Sequence, residues 1–222
     1  MNTITDIHTQ FSNTTVKLES MLHDLLTVIQ NDKEALEGNC FYYHQSYTRF
    51  SELLNKQLNL FWAGTVAKAR ICEIGFNAGH SSLLFCLGSL GVSLDYTIFD
   101  INEHTYTKPC FDYIQRAFPE KSFTFIEGDS TVEIPRWITT HPEALEQYDL
   151  LHIDGGHSDH CIRNDLLNSL KLLRVDGLVI IDDTNIPYIN SYVDTVLTTG
   201  KFEEVAILPT VGYQHRILKR IS

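Results

Sequence analysis

The sequence lacks most of the features that would place it outside a compact domain in water. Its five cysteines, Cys40, Cys72, Cys86, Cys110 and Cys161, are odd in number, widely spaced and never arranged as C-x-x-C. That excludes a disulfide framework and a thiolate metal site, and leaves them as small apolar core residues. No stretch reaches the ~20 uninterrupted apolar residues of a membrane-spanning helix. The opening MNTITDIHTQ has neither the basic start nor the apolar run of a signal peptide. The expectation is a soluble, cytoplasmic chain with no membrane partner. Basic residues are also scarce, 17 Lys and Arg against 28 Asp and Glu, for a net charge of -11, and they form no run. A nucleic-acid backbone needs clustered Lys and Arg, so no nucleic acid is expected as partner and a small molecule is. Repeats, low-complexity tracts and Pro/Gly/Ser-rich linkers are missing as well.

What is present is apolar periodicity that changes from helical to strand-like near residue 68. Over 15–37, Val16, Leu18, Met21, Leu25, Leu26 and Ile29 recur at helical spacing, and Leu53, Leu54, Leu58, Leu60 and Phe61 mark a second amphipathic helix. Residues 1–66 therefore read as a helical extension, with the aromatic-rich segment Phe41-Tyr42-Tyr43-His44-Gln45-Ser46-Tyr47 as either packing or a lid. From Arg70 onward short apolar strands alternate with helices: RICEIG, helix 80–90, DYTIFD, helix 108–118, SFTFIEG, helix 130–147, YDLLHID, helix 160–173, GLVIIDD and helix 188–199. Strands of this kind imply parallel βαβ units with both sheet faces covered. FEEVAILP and YQHRILKRI, joined by a short turn containing Gly212, are too close for a crossover and are expected to pair antiparallel. The expected fold is α/β: a doubly wound, mostly parallel seven-stranded sheet over 67–222, closed by a C-terminal antiparallel hairpin.

Ligands of such sheets bind beyond the carboxyl ends of the strands. The first strand ends in Glu73-Ile74-Gly75-Phe76-Asn77-Ala78-Gly79-His80-Ser81. Gly75 and Gly79 suit a tight turn and close approach to a ligand, Asn77 tolerates left-handed geometry, and Ser81 is placed to cap the next helix. A carboxylate at Glu73, just before a helix N-terminus, conflicts with a dinucleotide pyrophosphate but not with a cationic ligand. The second strand ends at Asp100, positioned to accept ribose hydroxyls, and the third at Glu127-Gly128-Asp129-Ser130.

The E-x-G-x-x-x-G turn with these strand ends resembles class I S-adenosylmethionine-dependent methyltransferases. The resemblance implies a cofactor site of Glu73, Gly75, Asn77, Gly79, Ser81, Asp100, Asp129, Ser130 and Asp154, with Asp129 contacting the adenine amino group. The fourth strand ends His152-Ile153-Asp154-Gly155-Gly156-His157 and the fifth Ile181-Asp182-Asp183-Thr184-Asn185. Here the sequence is similar to the macrocin/mycinamicin-type, and less to the catechol-type, metal-dependent O-methyltransferases. That similarity implies Asp154, Asp182 and Asp183 as ligands of Mg2+ or another divalent cation, and His157 with Asp154 as catalytic residues. Histidine titrates near neutrality, as a base for a hydroxyl must. The expected reaction is methyl transfer to a hydroxyl of a small molecule, by a chain that can form a homo-oligomer. A metal-independent methyltransferase, an NAD(P)-linked oxidoreductase and a non-catalytic cofactor-binding module are the alternatives.

Overall fold

The computed structural model describes residues 4–37, 40–42 and 47–222. Seven strands form one sheet: β1 (Arg70–Ile74), β2 (Asp95–Asp100), β3 (Ser122–Glu127), β4 (Tyr148–Ile153), β5 (Leu173–Ile181), β6 (Phe202–Glu204) and β7 (Arg216–Arg220). Their order is β3-β2-β1-β4-β5-β7-β6. All neighbours are parallel except β7, which runs antiparallel to both β5 and β6. Strand order reverses between β1 and β4, so a crevice opens above their carboxyl ends.

The two-residue period of a strand sorts the core into two layers. Ile71, Tyr96, Ile98, Leu150, Leu178 and Ile180 face one layer, which they share with α1 (Ile4–Asp32), α2 (Leu54–Val66), α3 (His80–Gly88) and α4 (Thr107–Ala117). Cys72, Ile74, Phe99, Leu151, Ile153, Val179 and Ile181 face the other, with α5 (Ser130–Thr140), α6 (Asp159–Ser169) and α7 (Pro187–Thr198). The N-terminal helices thus share a continuous apolar layer with the sheet. The same parity sets Glu73 and His152, cross-strand neighbours in the register, on the first face, where both are buried.

Several boundaries differ from the sequence expectation, each for a local reason. Helix α1 begins at Ile4 and stops at Asp32, short of 37, because Lys33 takes a left-handed backbone (φ 59°). Val16, expected on its apolar face, is exposed. Helix α5 ends at Thr140, followed by a single 3-10 turn, Pro142–Ala144. Helix α6 ends at Ser169, so that β5 starts at Leu173, and its pairing with β4 shifts register between Tyr148 and Leu150. The expected hairpin has no short turn: β6 is only three residues long, and residues 205–215 form a loop that turns back toward α2. Asn55 and Asn59 of α2 bind that loop, donating to the carbonyls of Pro209 (2.7 Å) and Leu208 (2.9 Å), and Asn59 accepts from the N–H of Leu208 (3.1 Å).

Candidate active site

A cavity of about 530 Å³ lies over the carboxyl ends of β1, β2, β3, β4 and β5. That is room for a ligand of cofactor size. Among the described residues its lining carries seven carboxylates (Glu37, Asp100, Glu103, Asp129, Asp154, Asp182, Asp183) but one lysine, Lys56, and no arginine. A ligand rich in phosphate would meet this wall at a Coulombic disadvantage, and a cationic one at an advantage.

The floor is the turn after β1. Gly75 (φ 86°), Asn77 (φ 50°) and Gly79 (φ 74°) are all left-handed, as expected. The close approach the glycines permit, however, is within the protein. A Cβ on Gly75 would lie 2.0 Å from the Asp154 carbonyl oxygen, and one on Gly79 would lie 2.5 Å from the Phe76 ring. Gly75 lines the cavity and Gly79 does not. Asp100 fixes the turn from the next strand: Oδ2 accepts from the N–H groups of Phe76 (2.7 Å) and Asn77 (2.9 Å), and Oδ1 from that of Asn102 (2.7 Å). Asp100 also lines the cavity. Asp129 caps α5, accepting from the N–H (2.9 Å) and hydroxyl (2.7 Å) of Thr131, contacts that hold its carboxyl below the usual range. Asp129 and Ser130 both line the cavity. On the same side Glu34 accepts from Thr105 and sits 2.9 Å from His104 Nδ1, which ties the segment after α1 down beside the end of β2.

Two residues take posts different from those expected. Glu73 does not line the cavity: it is fully buried beneath it, held by the hydroxyls of Ser81, Ser82 and Tyr96 (2.6 Å for the last) and by His152 Nδ1 at 3.0 Å. A carboxylate can stay charged out of water only with such partners, and all four approach from inside the fold. Ser81 therefore does not cap α3, whose N-cap is Gly79 without a side-chain bond. It lines the cavity with its hydroxyl turned down to Glu73. Of the aromatic segment, Phe41 and Tyr42 are buried against the His80 ring, with centroids 5.5 Å and 5.8 Å away. Residues 43–46 lie outside the described residues.

At the β4–β5 end, the loop after β4 presents Asp154 and His157, and the loop after β5 presents Asp182 and Asp183. His157 Nε2 lies 2.6 Å from Asp183 Oδ2, and the hydrogen bond to that carboxylate raises the imidazole pKa. Helix α6 is capped by Ser158, not His157. The hydroxyl of Tyr188, on α7, donates to the His157 carbonyl and steadies the loop. Asp182 is almost fully buried, and its Oδ2 is 2.6 Å from the ammonium of Lys56, on α2. Burial works against the charge of Lys56, yet the Asp182 and Asp154 carboxylates hold its pKa above the ordinary lysine value. His152, between Glu73 and Asp182, also stays cationic: burial opposes its charge, but the two carboxylates raise its pKa to about 10.

The expected trio of Asp154, Asp182 and Asp183 is not drawn together as one set, although two overlapping sets of side chains at this end could hold a metal ion. Asp154 draws together with His152 and Asp182 on one side, and with His157 and Asp183 on the other, rather than with both aspartates around one point. Asp182 is ion-paired with Lys56 and Glu73 with His152, while Asp183 accepts a contact from the His157 imidazole. Of these four carboxylates Asp154 alone has no charged side-chain partner among the described residues, and burial, then Asp182, push its carboxyl well above the usual range. A hard divalent cation takes several anionic oxygens, and at this end Lys56 already lies against one oxygen of Asp182 and His157 against one of Asp183.

Lys56 is the residue the sequence reading missed. Its signal was the polar triplet Lys56, Gln57 and Asn59 set among Leu58, Leu60 and Phe61 in a helix whose residues 56–61 are all buried.

No curated protein matches the chain in sequence. Among solved structures, an O-methyltransferase from Bacillus cereus in complex with SAH superposes with a TM-score of 0.63 at 20% identity, covering 91% of each chain. A cofactor-bound protein from MTB gives 0.60 at 13% identity, over 91% of this chain and 89% of that one. A putative O-methyltransferase from Klebsiella pneumoniae gives 0.55 at 18%, over 89% of each. At these identities the likeness establishes the fold. The sequence itself carries the family: residues 72–184, from the middle of β1 to just past β5, match the methyltransferase domain family. With that match spanning more than half the chain, over the turn and strand ends that line the cavity, the protein belongs to this family and is a class I S-adenosylmethionine-dependent methyltransferase.

Proposed function

We propose that the protein methylates a hydroxyl group of a small molecule, with His157 as the general base. When bound, S-adenosylmethionine supplies an electrophilic methyl group on a cationic sulfonium, and what this chain must add is orientation, exclusion of water and a destination for the hydroxyl proton. The adenosine end fits the side of the cavity formed by Asp100 and the Asp129-Ser130 pair, and the charged end fits the side where Asp154 stands without a side-chain partner. The observation that carries the reading is the 2.6 Å contact between His157 and Asp183 at the mouth of that side. A carboxylate behind an imidazole fixes its orientation and stabilises the cation formed when it takes a proton. His157 is half-exposed, so an acceptor can reach it from solvent.

The preference for a small acceptor rests on the cavity being a bounded pocket and on the scarcity of basic residues along the chain. The test is transfer of label from methyl-tritiated S-adenosylmethionine to a panel of hydroxylated small molecules, followed by His157→Ala. The variant is expected to bind the cofactor as before and to lose turnover by ~100-fold or more. Turnover at the wild-type rate in that variant, or label appearing on nitrogen or carbon instead, would overturn the reading.

A further inference from the structure

The paired charges at the β4–β5 end raise the question of what takes the place of a divalent cation there. The sheet's parity puts Glu73, His152, Asp154 and Asp182 on the face covered by α2, and α2 answers with a single cation, Lys56. Lys56 is 6% exposed and lines the cavity, with its ammonium 2.6 Å from Asp182 Oδ2 and 5.9 Å from the centre of the Tyr213 ring. Its helix is pinned on both sides of it. Gln57 donates to the carbonyl of Cys40 (2.8 Å), while Asn55 and Asn59 hold the 205–215 loop, and Asn59 also meets His215 Nε2 at 3.0 Å. These contacts fix the helix that carries Lys56, and the Asp182 carboxylate holds its buried ammonium in the site.

We infer that the Lys56 ammonium is the resident cation of the catalytic end: it occupies the position a divalent metal would take beside Asp182 and Asp154, holds the Asp182 carboxylate in place, and makes the protein metal-independent. Lys56 is a positioning residue in this role, and the inference rests on the proposed reading of the cavity as the methyl-transfer site. A monovalent ammonium neutralises one carboxylate where a divalent ion would need two or three, which matches the one-to-one pairing seen here.

The experiment is a Mn2+ titration of the whole protein at neutral pH, followed by electron paramagnetic resonance of the free ion, in parallel with calorimetry of SAH binding. The wild type is expected to leave Mn2+ free at millimolar concentration. Lys56→Ala and Lys56→Gln are expected to bind one Mn2+ per chain, and Lys56→Arg, which restores a fixed cation, none. One Mn2+ bound by the wild type and lost in Asp182→Asn would overturn the inference, as would failure of folded Lys56→Ala and Lys56→Gln, checked by circular dichroism, to gain a site. SAH binding separates the two levels: its absence in the wild type would remove the methyl-transfer reading itself, whatever Mn2+ does.

Discussion

Glu73 and His152 meet at 3.0 Å across the β1–β4 pairing, both with side chains wholly out of solvent, in the layer that otherwise holds leucines, phenylalanines and tyrosines. The pair turns the sheet beneath the cofactor turn into an electrostatic support: Ser81 and Ser82 at the start of α3 hang from Glu73, and His152 links it onward toward Asp182. Removing Glu73 leaves the buried His152 charge with only the more distant Asp182 carboxylate, at 3.9 Å, to offset it. Glu73→Ala is expected to cost about 3–5 kcal/mol of unfolding free energy, read from the midpoint and slope of a urea transition. A loss below about 1 kcal/mol would show that His152 is neutral in the fold.

The turn glycine can be tested against a control in the same protein. Gly75 and Gly91 both have positive φ (86° and 75°), but a methyl at Gly75 runs into the Asp154 carbonyl whereas one at Gly91 meets nothing within 4 Å. Gly91→Ala should therefore cost only the left-handed backbone penalty, about 1 kcal/mol. Gly75→Ala should cost at least about 2 kcal/mol more and disturb cofactor binding, because Asp154 must move. Equal losses in thermal unfolding would refute the close approach.

Asp100 carries both an architectural and a binding duty. Its carboxylate organises three backbone N–H groups and the residue lines the cavity, so Asp100→Ala is expected to weaken SAH binding by about tenfold or more, since hydrogen bonds to a charged group are each worth ~1.5–3 kcal/mol. Calorimetric titration measures it. Unchanged affinity would place the ribose elsewhere.

The acid stability of the fold should depend on Asp149, at the opposite end of β4. Burial would raise its pKa, but the N–H groups of Arg70, Ala69 and Lys68 and the Arg174 side chain together hold the carboxyl below its ordinary value. A carboxyl that ionises more readily folded than unfolded binds fewer protons in the native state. Its contribution is therefore complete above the unfolded value, near pH 4, and is lost as pH falls through the lower native value. Unfolding midpoints measured from pH 7 down to pH 2 should fall less steeply in Asp149→Asn than in the wild type. Parallel curves would contradict this.

The strand ends were legible in the sequence because they obey local rules. Short apolar runs stop at Asp100, Asp129, Asp154 and Asp182, and parallel pairing carries all four to the same edge. The left-handed turn at Gly75, Asn77 and Gly79 was legible for the same reason, since only a few residue types take that backbone without strain. The partners of Glu73 were not. A carboxylate ahead of a glycine turn reads the same whether it faces up to a ligand or down into the core, and what decides is Tyr96 and His152, brought beside it by pairing with other strands. The destination of Lys56 was hidden more deeply. Its contact with Asp182 spans most of the chain and depends on α2 being gripped by the loop before β7. The length of β6 escaped for a different reason: FEEVAILP has strand composition throughout, but the ladder with β7 covers Phe202–Glu204 and ends with the bond from the N–H of Val205 to the carbonyl of Ile217.

The antiparallel strand β7 lies between β5 and β6, and β6 has no other neighbour in the sheet. As the polypeptide emerges during synthesis, β6 appears first and has nothing to pair with until β7 arrives and docks on β5. Its brevity and its two glutamates, Glu203 and Glu204, are what keep such an orphan segment from sticking to other nascent chains in the interval. Because the loop between the two strands also binds Asn55 and Asn59 of α2, the contacts that flank Lys56 rest on residues which follow β6 and are anchored by the docking of β7.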